Sequence, residues 1–234
     1  MKPELRVAAI GNVDSAKTTT ISVISNNILD NGRGNARKYI LKHPHEETTG
    51  RTSTITQHYT ETDNSIIGFV DLAGHEKYLK TTATGLNGCF IDYAMITVGS
   101  DRGVIGMAKE HLTLAIALKI PIIVVITKID IAVEHKLNKI KNRISNIFSH
   151  PLAGSKELKY VNDNNINEVI NTYSHEASYV PVFETSNVKG FNINNLRNFI
   201  YSLKKYKEIG NIENKNPLFK IDDTFQLKGI GLVV

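Results

Sequence analysis

The chain has 234 residues, is 41% hydrophobic and 22% charged, and carries a formal net charge of +5. That balance suits one large folded domain, or one domain plus a fragment, and excludes a low-complexity or strongly charged disordered chain. A lone cysteine, Cys89, excludes an intramolecular disulfide framework and points to a reducing, cytosolic setting. The first residues, MKPELRVAAIGN, lack the long apolar core of a secretory signal, and no apolar run is long enough to span a membrane. The modest basic excess permits contact with RNA or the ribosome without demanding it. Its richest stretches, KLNKIKNR (136–143) and SLKKYK (202–207), lie on helical patterns where lysines usually form a solvated face.

In chain order, LRVAAI (5–10) reads as a buried strand and KTTTISVISNNILD (17–30) as a helix with Ile21, Ile24 and Ile28 on one face. Between them lies GNVDSAKTTT (11–20), the setting of a phosphate-binding loop. Backbone N–H groups from Gly11, Asn12, Val13, Asp14, Ser15 and Ala16 to Thr19 can face an anion at the helix start, where the dipole adds attraction. Lys17 would reach the outer phosphates, and the Thr18 hydroxyl would bind Mg2+. Ala16 stands where the usual pattern has a second glycine. A left-handed backbone there would cost about 1–2 kcal/mol, whereas a negative φ would only crowd the phosphate, and spacing does not choose between them.

Residues 30–54 are polar and glycine-containing and read as a long loop, and such loops in folded domains are usually functional. ITQHYTET (55–62) then turns through Asp63-Asn64-Ser65 into IIGFVDL (66–72), a hairpin with an edge strand. That strand ends in Asp71, with Gly74 three residues on. The carboxylate can hold a water on Mg2+, and the glycine N–H can sense a γ-phosphate.

Further strands are read at YAMITVG (93–99), PIIVVIT (121–127) and YVPVFET (179–185). Helices are read at 106–119, through Leu137, Ile140, Ile144 and Ile147, and through Ile193, Leu196, Ile200 and Leu203. Residues 154–178, rich in Asn and Ser, read as a surface insertion holding one short helix. In ITKID (126–130), Asp130 can accept two N–H bonds from a guanine edge, a pair adenine does not offer, so a buried Asp here would select guanine. Lys128 can lay its stem across the base, and the Thr127 hydroxyl can tie this loop to the phosphate loop. The backbone at Ser186, Asn187 and Val188 could donate to the guanine O6. These elements follow one another at strand C-terminal ends, where open α/β sheets bind ligands.

The runs ILDNGRGNAR (28–37), HPHEETTGRTSTI (43–55), DLAGHEKYLKTTATG (71–85), VGSDRGVIGMAKEHL (98–112) and ITKID resemble translational GTPases of the elongation factor Tu class. Within that class the chain is most similar to the group of GTP-binding proteins 1 and 2. The resemblance implies an α/β P-loop G domain with a mixed, mostly parallel six-stranded sheet and helices on both faces. It also implies GTP or GDP with Mg2+ as ligand, hydrolysis of GTP, and the ribosome, tRNA or another RNA as partner of a monomer without membrane contact. Thr52 matches the first-switch threonine that closes on Mg2+ and γ-phosphate, and His75 the histidine that orients the attacking water. With Lys17 they form the expected catalytic set.

Arg51 stands where elongation factor Tu has an isoleucine that pairs with the counterpart of Val13. It would either add charge at the transition state or face solvent or RNA. His43, His45, Glu46 and Glu47 read as part of the switch loop rather than as a metal site. The expected division is a GTPase domain at 1–208, a linker at 209–217 and, at 218–234, the opening strands of a β-barrel that stop before closing. Two readings stay open beside hydrolysis: a nucleotide-gated binding module with negligible turnover, and an adenine-nucleotide enzyme, which Asp130 opposes.

Overall fold

The computed structural model describes residues 2–40, 55–174, 176–205, 221 and 224–233. Each apolar run becomes a strand: β1 (Glu4–Gly11), β3 (Ile66–Asp71), β4 (Tyr93–Gly99), β5 (Ile122–Thr127) and β7 (Tyr179–Glu184). The hairpin partner is β2 (Thr56–Glu61), and β6 (Glu157–Val161) completes a seven-stranded sheet in the order β2-β3-β1-β4-β5-β7-β6. All neighbours are parallel except β2, which runs antiparallel to β3 at one edge.

Both faces of the sheet are covered, so strand residues alternate between two cores rather than between core and water. Leu5, Val7 and Ala9 of β1, with Phe69, Met95, Ile123, Val125 and Phe183, pack with Ile21 and Ile24 of α1 (Lys17–Asn26). The same core takes in α5 (Ile166–Thr172) and α6 (Ile193–Ser202). Ala8 and Ile10, with Val70, Ile96, Val124 and Val182, face the other way. There they meet Leu86 of α2 (Leu79–Gly88), Leu112 of α3 (Met107–Ala117), and Ile140, Ile144 and Phe148 of α4 (Glu134–Phe148).

Two expectations need correction. The sheet has seven strands rather than six, because residues 157–161, inside the stretch read as an insertion, form β6 beside β7. This edge strand has one partner and mostly half-buried side chains, so its polar flanks outweigh its short apolar pattern. Helix α1 also stops at Asn26, where Asn27 takes the left-handed conformation (φ 55°) that Asn tolerates at a helix end. Ile28 therefore lies outside the helix and is exposed.

Near the other end of the chain, β8 (Phe225–Leu227) and β9 (Gly231–Val233) form an antiparallel pair. Among the described residues no helix is long and apolar enough to cross a membrane.

Candidate functional site

The C-terminal ends of β1, β3, β5 and β7 deliver their loops to one edge of the sheet, which holds a cavity of about 1070 Å³. The loop after β1 supplies Val13, Asp14, Ala16, Lys17, Thr18 and Thr19 to its lining. Asp14 and Ala16 both have left-handed backbones (φ 61° and 67°), which settles the alternative left open at position 16 in favour of strain. Ala16 is the N-cap of α1 and has no side-chain oxygen to cap it, so the helix start faces the cavity without a capping side chain from that position.

Behind this loop the buried Ser15 hydroxyl meets Thr97 Oγ1 at 2.7 Å and donates to Asn12 O at 2.8 Å when not directed at the threonine. Lys17 Nζ donates to Asn12 O at 2.8 Å and more weakly to Gly11 O at 3.3 Å. Burial pushes the Lys17 ammonium below its ordinary pKa, opposed by the Asp71 and Asp14 carboxylates. Gly74, in the loop after β3, packs directly on this structure. A Cβ there would overlap Lys17 Nζ and stand 2.9 Å from Gly11 O, so no larger residue fits without moving the loop.

The Thr18 hydroxyl donates to Asp71 Oδ2 at 2.6 Å, with Asp71 buried at the end of β3. A hydroxyl and a carboxylate side by side at a helix start are hard oxygen donors of the kind Mg2+ takes, and Mg2+ needs few protein ligands. Among the described residues no group of three or more His, Cys, Asp or Glu side chains could hold a metal ion. Thr52, Arg51, His43, His45, Glu46 and Glu47 lie outside the described residues. His75 lines the cavity half-buried, and its Nδ1 accepts the Lys77 N–H at 3.2 Å, capping the 3-10 turn Glu76–Tyr78.

At the opposite end, the buried Thr127 hydroxyl donates to Ser15 O at 3.0 Å and joins the β5 loop to the β1 loop. Lys128 has a left-handed backbone (φ 62°), its carbonyl accepts from Ser100 Oγ at 2.7 Å, and its ammonium pairs with Asp101 at 3.0 Å. Asp130 lines the cavity and is exposed, so the burial that would let it select guanine is not supplied by the described residues. It sits on the short 3-10 turn Ile129–Ile131, at the cavity mouth. Asn187 and Val188 reach the cavity, whereas Ser186 is fully buried and its hydroxyl accepts the Lys189 N–H at 3.0 Å. Asn187 Nδ2 donates to Thr20 Oγ1 at 3.0 Å, while its buried Oδ1 has no partner among the described residues.

Of the residues read as a nucleotide site, Gly11, Asn12, Ser15, Asp71, Thr127 and Ser186 stand behind the lining rather than in it. Several lining residues were not foreseen. Arg102, after β4, pairs with Asp14 at 3.5 Å. Asp30, Gly32, Arg33, Gly34 and Arg37 form a further wall. The run DNGRG carried a signal for that wall, because Asp followed by glycines favours a side-chain-capped turn.

The family profile of the elongation factor Tu GTP binding domain matches residues 2–205. GTP-binding protein 1 of Xenopus laevis is 38% identical over 258 residues, covering 99% of this chain and 39% of that protein. GTP-binding protein 2 of Homo sapiens is 30% identical over 255 residues, covering 99% and 42%. The chain thus spans about two fifths of the length of these curated relatives. Among solved structures, a bacterial selenocysteine-specific elongation factor superposes with a TM-score of 0.65 at 23% identity, over 99% of this chain and 34% of that one. Elongation factor SelB from Methanococcus maripaludis, in complex with the GTP analogue GppNHp, superposes with a TM-score of 0.59 at 19% identity, over 96% and 37%, and these two likenesses speak to the fold. With its cavity at the sheet edge, a seven-stranded mostly parallel sheet and a profile match across most of its length, this chain is an elongation-factor-like GTP-binding domain and belongs to the elongation factor Tu GTP-binding family.

Proposed function

We propose that this domain binds GTP and GDP with Mg2+ and hydrolyses GTP to GDP and phosphate as an elongation-factor-like switch. One observation carries the reading: a single cavity joins the start of α1, with Lys17 and Thr18, to the exposed carboxylate of Asp130. An anion site and a carboxylate able to read a base, lining one cavity, suit a purine nucleotide. The amides of residues 13–19 and Lys17 hold the phosphates, with Gly11, Asn12 and Ser15 shaping the loop from behind. Asp130 accepts the guanine N1–H and N2–H, Lys128 covers the base, Thr127 holds the base loop to the phosphate loop, and the backbone at Ser186, Asn187 and Val188 donates to O6. Thr18 and Asp71, together with Thr52, would be the residues that hold Mg2+. Held there, the ion would supply positive charge to neutralise the phosphate oxygens. Gly74 donates its N–H to the γ-phosphate. His75 orients the water that attacks the γ-phosphorus, while the bridging oxygen leaves with GDP.

Residues 1–208 would form the GTPase domain and 209–217 a linker. Residues 218–234 would be the opening strands of a β-barrel, a reading supported by the β8–β9 pair. Relatives named as elongation factors support a role in translation or RNA metabolism, with the ribosome, tRNA or another RNA as partner. The lone cysteine suits a reducing, cytoplasmic setting, in which the domain would act as a monomer.

A second reading, a nucleotide-gated module with negligible turnover, draws on the commitment of His75 Nδ1 to its own 3-10 turn. Calorimetric titration with GTP, GDP and ATP in Mg2+, followed by single-turnover hydrolysis with and without ribosomes, separates these readings. GTP and GDP are expected to bind, and ATP at least about 100-fold more weakly. His75→Ala is expected to slow hydrolysis by about 10-fold or more. Equal binding of ATP would overturn the guanine reading, and GTP intact after hours with ribosomes would favour the gated module.

A further inference from the structure

One wall of the cavity is built by none of the nucleotide motifs. After α1 the chain turns at Asp30, whose buried carboxylate accepts the N–H groups of Gly32 at 2.9 Å, Gly34 at 3.0 Å and Ala36 at 2.9 Å. The Asp30 N–H donates to Asn187 O at 2.9 Å, which fastens the wall to the loop after β7. Ser22 Oγ donates to Ala36 O, and Ala36 packs with Val23 and Ile193. Residues 30–36 are therefore held by a carboxylate, a neighbouring loop and a small apolar cluster together.

The held loop positions one side chain closely. Gly34 has φ +79°, and a Cβ there would overlap the Arg37 guanidinium. Arg37 Nε donates to Gly34 O at 3.4 Å. The guanidinium thus lies across bare glycine backbone, and Arg33, Gly34 and Arg37 line the same cavity as Lys17 and Asp130. The one acid of this wall, Asp30, is engaged by backbone amides, so the run DNGRGNAR presents a positive face to the cavity. A guanidinium held half-buried in one place loses little freedom on binding an anion and offers forked donors that match phosphate oxygens.

We propose that Arg37 is a further nucleotide-binding residue, a cationic ligand for the phosphate chain, positioned by the Asp30-anchored loop and by the missing side chain of Gly34. The proposal rests on the reading of this cavity as a guanine-nucleotide site.

The test compares wild type with Arg37→Gln and Arg37→Lys. GDP is titrated by calorimetry at two salt concentrations, and guanosine, which lacks phosphate, by saturation-transfer NMR. Arg37→Gln is expected to weaken GDP about 10-fold, to leave guanosine within about twofold, and to flatten the salt dependence of GDP binding. Arg37→Lys is expected to recover part of the loss. Unchanged GDP affinity would overturn the proposal. Equal weakening of GDP and guanosine would also overturn it, because it would make Arg37 a brace for the loop. If Arg37→Gln melts below the assay temperature, Arg37→Met, which keeps the apolar stem over Gly34, carries the same comparison. Failure of the wild type to bind any guanine nucleotide would sink the cavity reading itself, an outcome distinct from wild-type binding that the arginine variants leave untouched.

Discussion

Ala16 shows how much one methyl group can matter at the start of α1. Its φ of 67° places an L-residue with a Cβ in the left-handed region, at a cost of about 1–2 kcal/mol. Replacement by glycine removes that strain, although glycine also gains freedom in the unfolded chain, which offsets part of the benefit. We expect Ala16→Gly to raise the urea midpoint by an amount equivalent to about 1 kcal/mol and to tighten GDP binding. An unchanged midpoint together with unchanged affinity would mean that the loop bears the methyl without penalty. Thr127 acts at the same scale. Its hydroxyl makes one bond to Ser15 O, across 112 residues of sequence. The tie to the phosphate loop was legible in the sequence, but the acceptor atom, Ser15 O, became visible only when β5 and β1 were placed on either side of β4.

Among elements, α3 and β1 are joined through a buried histidine. His111 on α3 is fully buried, and its Nδ1 accepts the Gly11 N–H at 3.3 Å where β1 opens into the phosphate-type loop. Burial, helped by the nearby Lys17 charge, pushes its pKa down to about 4 from 6.5. The folded state therefore resists a proton that the unfolded chain accepts. The stability associated with neutral His111 is present above pH 6.5 and is lost as pH falls toward 4. At pH 5 this amounts to about 2 kcal/mol. Urea denaturation at pH 7.5 and pH 5 should show wild type losing that much more stability than His111→Gln, and parallel losses in the two proteins would remove His111 as the cause. Sequence periodicity placed His111 on a helix. The 3.6-residue pattern did not identify which strand end that helix would cover, since this depends on sheet order.

For the whole molecule, stability and ligand binding are linked, because the cavity is assembled from loops that belong to different strands. A ligand that binds only this assembly adds about 2.7 kcal/mol at 100 times its dissociation constant. GDP with Mg2+ is accordingly expected to raise the melting temperature by several degrees, ATP to leave it nearly unchanged, and EDTA to remove much of the GDP effect. A melting curve indifferent to GDP at millimolar concentration would contradict the proposed ligand.

The amino-acid sequence by itself determined the α/β class, the five mainly apolar strands, the β2–β3 hairpin and the main helices. Those features depend on local periodicity, and both faces of the sheet are buried, so Val-, Ile- and Leu-rich runs stand out. Motif spacing likewise placed the loops containing Lys17, Asp71, Thr127 and Asn187 at strand C-terminal ends. Only the tertiary structure decided the conformation at Ala16, the exposure of Asp130, the extra edge strand β6 and the wall carrying Arg37. Each of these depends on contacts between segments far apart in the chain. Backbone torsion in a loop, burial at a cavity mouth and the pairing of a weakly apolar edge strand are set by what packs alongside, which the order of residues does not carry locally.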